Sequence, residues 1–192
     1  MSTETTPSTT GQQSSRKVVA GYFLSLDGVA EAPDRFITAW DDETDASGAE
    51  LIATQDAVIL GRRTYDEWAG FWPGSDIEPF ASFINTVPKY VATSTPLEQE
   101  WTGACVIDGG LVEFARDLKS RPGGDIGVHG SIELSRALLA AGVVDELRLV
   151  IAPTIVGEGA RLFDGLPDIS LETISSVASA CGHLLVKLRV VS

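Results

Sequence analysis

Apolar positions along the chain keep two different rhythms. KVVAGYFLSL (17–26) is apolar on both faces, which predicts a strand covered on both sides. DAVILG (56–61), KYVAT (89–93) and ACVID (104–108) predict three more strands, with a short one at 125–128 and a long one over DELRLVIAPTIV (145–156). Between them the spacing lengthens. Leu111, Phe114 and Leu118 stand at i, i+3 and i+7, so 110–120 reads as an amphipathic helix. Leu134, Leu138 and Ala141 mark the buried stripe of a helix over 131–141. Helices are also expected around 46–54, where Ser47 and Glu50 have capping-box spacing, from Arg62 through Trp68, and over 77–85. LETISSVASA and LLVKLRVV then flank Cys181-Gly182-His183 and predict a closing β-hairpin. Strands alternate with helices through residue 150, after which the chain turns all-β. The expectation is an α/β fold of three layers (αβα), its central mixed sheet mostly parallel with an antiparallel C-terminal hairpin.

MSTETTPSTTGQQSS (1–15) has no large apolar residue apart from Met1 and is expected to be a disordered tail, leaving 16–192 as one domain. The formal net charge is −13. Nucleic acids and anionic membranes call for a basic footprint, so neither is an expected partner. The tail has no apolar leader core and no apolar run nears the ~20 residues of a membrane span, which points to the cytoplasm. The two cysteines, Cys105 and Cys181, lack metal-ligand spacing, and no metal is expected.

Against this acidic background the stretch VILGRRTYDEW (58–68) stands out. A strand delivers Gly61, Arg62, Arg63 and Thr64 to a helix start. Helix-start N–H groups lack partners and the macrodipole favours negative charge, so the arrangement suits a phosphate. It also fits a surface helix capped by Thr64, with Glu67 three residues on, and carrying solvated arginines. His129-Gly130-Ser131 repeats the pattern, a strand ending in glycine before a helix, and suits either a ligand or an ordinary turn. Two such turns in one α/β sheet support each other, since ligands gather at the carboxyl ends of strands. Ser94 and Thr95 end another strand, where Ser-Thr-Pro is equally a good turn. Asp27, in Ser25-Leu26-Asp27-Gly28, follows the first strand and is either a substrate-facing carboxylate or part of an Asp-Gly turn. Trp40, Trp68, Phe71 and Trp72 fit a ring-binding wall or the core. No Walker loop, GxGxxG fingerprint or CxxC occurs.

SLDG (25–28), LGRRTYDEW (60–68), PKYVATST (88–95), GVHGSIEL (127–134) and DELRLVIAPTIVGEGARLF (145–163), in this order, resemble the dihydrofolate reductase-like family. The likeness is to the reductase domain at the C-terminus of the bifunctional riboflavin-biosynthesis deaminase-reductase. It implies NADPH as cofactor and hydride transfer to a pyrimidine-like or pterin-like ring. On this resemblance Gly61, Arg62, Arg63 and Thr64 contact the cofactor phosphates, Ser94 and Thr95 the 2′-phosphate, and His129, Gly130, Ser131 and Ile132 the pyrophosphate and nicotinamide side. The family's glycine pair in the later turn is here His129-Gly130. Phe23, Ser25 and Asp27 are implied to lie near the nicotinamide or substrate, with Asp27 as the polar substrate contact and Trp40 beside the ring. For the acidic residue that folate reductases carry after the first loop, Asp34, Asp41, Asp42 and Glu43 compete. A folate reductase proper and a non-catalytic nucleotide-binding module of the same fold are the alternatives. A homodimer through the apolar C-terminal strands is also implied.

Overall fold

The computed structural model describes residues 16–191, so the expected tail at 1–15 lies outside it. Eight strands form one sheet: β1 (Val18–Leu24), β2 (Gln55–Gly61), β3 (Lys89–Ala92), β4 (Ala104–Val106), β5 (Asp125–His129), β6 (Glu146–Ile151), β7 (Ser170–Ala178) and β8 (Leu184–Val191). Their spatial order is β4-β3-β2-β5-β1-β6-β8-β7. The first six strands run parallel, and β8 is antiparallel to both β6 and β7. The mixed, mostly parallel sheet with its antiparallel hairpin is therefore as the apolar rhythm predicts.

Five α-helices cover the sheet: α1 (Asp42–Ile52), α2 (Arg62–Phe71), α3 (Phe80–Thr86), α4 (Leu111–Ser120) and α5 (Ile132–Ala140). Strand alternation divides the core in two. Val18, Ala20, Tyr22, Ala57 and Ile59 pack with Leu118 of α4 and Leu134 and Leu138 of α5. Val58 and Leu60 point the other way, onto Tyr65 and Ala69 of α2 and Ile84 of α3. A sheet covered on both faces has no polar side to spare, which is why these strands read as continuous apolar runs.

The sequence misplaces several boundaries. The first helix begins at Asp42, not around residue 46, because Asp41 rather than Ser47 caps it: its carboxylate accepts the Thr44 N–H at 2.9 Å. The strand expected over 145–156 stops at Ile151, where Ala152 N–H donates to the Leu24 carbonyl and Pro153 has no N–H to continue a ladder. The apolar C-terminal strands expose Leu171, Ile174 and Val177 on β7, the edge strand. Among the described residues no helix is long and apolar enough to cross a membrane.

At the opposite side of the sheet Lys89 is wholly buried at the start of β3. Its Nζ donates to the carbonyls of Ile84 at 2.7 Å and Val87 at 2.8 Å and sits 4.6 Å from the Trp101 ring centroid. Burial pushes the ammonium down to about 8 from its ordinary 10.5. Between those values the unfolded chain binds the proton that the folded one has released, so folding stability rises with pH there. We expect urea unfolding to show this rise in the wild type, on the order of 1–2 kcal/mol, and its absence in Lys89→Met. A parallel pH dependence in the two proteins contradicts the assignment.

Candidate active site

The strand order creates a switch point. From β2 the chain moves outward to β3, whereas from the neighbouring β5 it crosses beyond β1 to β6. Connections that leave adjacent parallel strands in opposite directions open a crevice at their carboxyl ends, where α/β sheets bind ligands. Gly61 ends β2 and His129 ends β5, so the two glycine-bearing turns singled out in the sequence flank this crevice.

A one-way relay of hydrogen bonds joins the two turns. Gly61 N–H donates to Ser131 Oγ at 2.8 Å, the Ser131 hydroxyl to Thr64 Oγ1 at 2.9 Å, and the Thr64 hydroxyl to the Gly130 carbonyl at 3.1 Å. Thr64 and Ser131 are buried. Both hydroxyls are thus spent on the relay. Thr64 does not cap α2, whose N-cap is Gly61, and Ser131 stands at the N-cap of α5 without bonding that helix. The helix starts are left without side-chain caps, their first-turn N–H groups having no partner within the helix.

Gly130 is required by this closeness. Its φ is +66°, and a Cβ there would stand 3.0 Å from Thr64 Cγ2 and 3.1 Å from Trp68 Cζ2. Gly61 has an ordinary φ, but a Cβ would press on Ser131 Oγ at 3.2 Å.

Arg62 ties in a third turn. Its Nε donates to both oxygens of Asp66, at 2.8 and 2.7 Å, and its Nη1 to Thr95 Oγ1 at 2.6 Å and the Pro96 carbonyl at 2.8 Å. Ser94 and Thr95 are exposed beyond the end of β3. Arg63 is exposed and, among the described residues, forms no ion pair. Ile132 begins α5 half-buried. Hydrogen bonds therefore link Gly61, Arg62, Thr64, Thr95, Gly130 and Ser131 as one constellation, with the exposed Arg63 beside Arg62 on α2 and Ser94 beside Thr95.

His129 contributes backbone only. Its ring is buried against Phe80 and Phe83, away from the crevice, with Nε2 2.8 Å from Gln55 Oε1. Gln55 Nε2 donates to the Leu51 carbonyl, so its Oε1 accepts and the proton sits on the His129 Nε2. Desolvation pushes His129 down to about 4.

The wall at the end of β1 is braced rather than open. Asp27 accepts from the Val156 N–H at 3.0 Å, the Gly157 N–H at 2.9 Å and the Ser25 hydroxyl at 2.7 Å, while Arg161 Nε donates to its carbonyl at 3.0 Å. The Val156 N–H and the Ser25 hydroxyl hold its carboxyl well below the usual carboxylate range. Each oxygen already accepts from the protein, so the group stands as an anchor between the 25–28 and 156–161 loops. Ser25 is buried and spent on the same anchor, since its Oγ also accepts the Val29 N–H at 2.9 Å. Phe23 and Trp40 pack on each other, with ring centroids 5.7 Å apart and Trp40 half exposed. Of the competing acidic residues, Asp41 is consumed as the α1 cap and by the Cys181 N–H at 2.7 Å.

The RibD C-terminal domain family matches residues 16–185. The chain belongs to this family. YwjB of Bacillus subtilis (strain 168) is 30% identical over 155 residues, covering 79% of this chain and 84% of the relative. The fold is shared with a putative riboflavin biosynthesis protein from Shewanella sp. PV-4, with TM-score 0.71 and 19% identity over 92% of this chain and 99% of that one. It is shared too with a dihydrofolate reductase from Enterococcus faecalis solved in complex with NADP(H), with TM-score 0.61 and 17% identity over 92% of this chain and 97% of that one. By family this is a RibD C-terminal domain, and its fold is the one shared by these structures.

For this RibD C-terminal domain, sequence reading missed Asp66 and Gln55. Asp66 was legible as the i+4 partner of Arg62 on a helix. Gln55 carried no signal, because its contact with His129 spans 74 residues. His129 generates a test. Below its ordinary 6.5 the unfolded chain takes up a proton that the folded chain refuses until about 4. Stability therefore falls as pH drops through that window, by up to roughly 3 kcal/mol. His129→Gln, which can still donate to Gln55, is expected to lose much less stability over the same window. An equal loss, measured by thermal unfolding, contradicts a buried neutral imidazole.

Proposed function

We propose that the chain is a cytoplasmic NADPH-dependent oxidoreductase acting on a pyrimidine-like or pterin-like ring, of the riboflavin-biosynthesis reductase type. The observation that carries this reading is the pair of uncapped helix starts at the switch point, locked together by Ser131 and Thr64. Two such starts, a left-handed glycine and an exposed arginine make a cradle for a diphosphate. α2 has no acidic residue in its first turn to oppose an anion.

Bound NADPH supplies the hydride, which the protein's own side chains cannot. The first-turn N–H groups of α2 and α5 would hold the diphosphate, and Gly130 lets the backbone approach it. Arg62 has most of its donors committed to Asp66, Thr95 and Pro96, so its role is to fix the 93–96 turn. Arg63 and the exposed hydroxyls of Ser94 and Thr95 then serve the 2′-phosphate. Phe23 and Trp40 offer an apolar wall for the substrate ring, and Asp27 keeps that wall in place through the 156–161 loop. Asp27 stays ionised at neutral pH and donates no proton, so a water is the proton source for the reduced ring. These groups act by positioning, which is what hydride transfer between two rings needs.

Trp68 lies beside Gly130, so its fluorescence reports on the cradle. Titration is expected to give saturable quenching by NADPH and weaker binding of NADH. One charged hydrogen bond to phosphate is worth about 1.5–3 kcal/mol, so Arg63→Ala should weaken NADPH about 10- to 100-fold and leave NADH nearly unchanged. No saturable response removes the cofactor assignment, and equal affinity for the two nucleotides removes the 2′-phosphate assignment. With NADPH bound, turnover of dihydrofolate blocked by antifolates points to the folate alternative. Binding with no turnover of any pyrimidine or pterin substrate points to a non-catalytic module.

A further inference from the structure

The β7–β8 turn gathers a second group of reactive side chains that hydride transfer does not use. Cys181 Sγ lies 3.4 Å from His183 Nδ1 and 3.3 Å from Ser179 Oγ. The thiol is partly exposed, whereas His183 is only 2% exposed. Thr44 Oγ1 also approaches His183 Nδ1, at 3.4 Å, but its proton goes to Asp41 Oδ1 at 2.6 Å. Toward the ring Thr44 can only accept. Nδ1 therefore faces two acceptors, the threonine oxygen and the sulfur, while Ser179 can donate to the same sulfur. This is the environment of a thiol with a resident base and two donors to its anion. Among the described residues no set of three or more His, Cys, Asp or Glu side chains is placed to hold a metal ion, so the pair is read as thiol and base rather than as ligands.

We propose that Cys181 is a peroxide-reactive thiol whose proton is taken by His183. The sulfur attacks one oxygen of a hydroperoxide as its proton passes to His183 Nδ1. An S–O bond forms and the O–O bond breaks. The departing oxygen takes the proton from His183 and leaves as water or an alcohol. Sulfur loses two electrons to give the sulfenic acid, and the peroxide is reduced by the same two. The position gives the modification a consequence. Cys181 N–H donates to Asp41 Oδ2 at 2.7 Å, Asp41 caps α1, and the preceding residue is Trp40, which packs on Phe23. An oxygen added at the sulfur therefore enters the turn that holds this wall.

The proposal stands on the thiol's surroundings alone and does not depend on the cofactor reading. Cys105, exposed on β4, is the internal comparison: among the described residues its thiol has no hydrogen-bond partner. The full chain is treated with hydrogen peroxide in the presence of dimedone, and adducts are followed by peptide mass spectrometry. Cys181 is expected to be trapped about tenfold faster than Cys105, and His183→Asn to remove that advantage while Cys105 keeps its rate. Ser179→Ala, which removes the hydroxyl hydrogen-bonded to the sulfur, is expected to slow Cys181 about two- to threefold and serves if His183→Asn does not fold. Cys105 reacting as fast as Cys181 in the wild type overturns the proposal. So does an unchanged Cys181 rate in folded His183→Asn, or in Ser179→Ala where the histidine variant fails to fold.

Discussion

The Ser131 hydroxyl, accepting from Gly61 and donating to Thr64, is the contact on which the site depends. It joins the turns that follow two neighbouring strands, and its geometry is possible only because β2 and β5 are adjacent. Each hydroxyl of the relay accepts one hydrogen bond and donates one. A buried, fully satisfied chain of this kind is stiff, and its bonds reinforce one another. The stiffness fixes the relative position of two helix starts whose own N–H groups remain uncapped. A capped pair would be more stable in isolation and would offer nothing to an anion.

Around this centre the loops are held by carboxylates that serve as anchors. Asp66 orients Arg62, Asp27 clamps the loop at 156–157, and Asp41 joins the start of α1 to the hairpin turn. Asp27 and Asp41 each accept several donors, which holds their carboxyls well below the usual carboxylate range. The acidic composition thus has a local counterpart at the site: negative groups brace the frame while the crevice itself presents backbone N–H groups and an exposed arginine. An ion pair such as Arg62 with Asp66 contributes little to stability at the surface, but it decides which guanidinium is left free.

Much of this frame was legible in the sequence. Strand-end glycines before helix starts at Gly61 and Gly130, in a sheet of alternating strands and helices, marked two turns that the structure places side by side. The roles of individual polar side chains were not legible. Thr64 and Ser131 have the residue types and spacing of local caps, and only the adjacency of β2 and β5 redirects them to each other. His129 looks like a site residue because it precedes Gly130, yet strand alternation turns its ring into the core beside Phe80. Asp27 follows a buried strand as a catalytic carboxylate would, but the loop 129 residues later occupies it. In each case a contact distant in sequence outweighs a local pattern, and no local pattern encodes it.

Hydrogen exchange of the backbone amides, with and without saturating NADPH, tests the central claim most directly. The account predicts added protection concentrated at 61–64, 93–95 and 129–132, the three turns joined by Ser131, Thr64 and Arg62. Protection absent from 61–64 and 129–132, or centred on other elements, would contradict it.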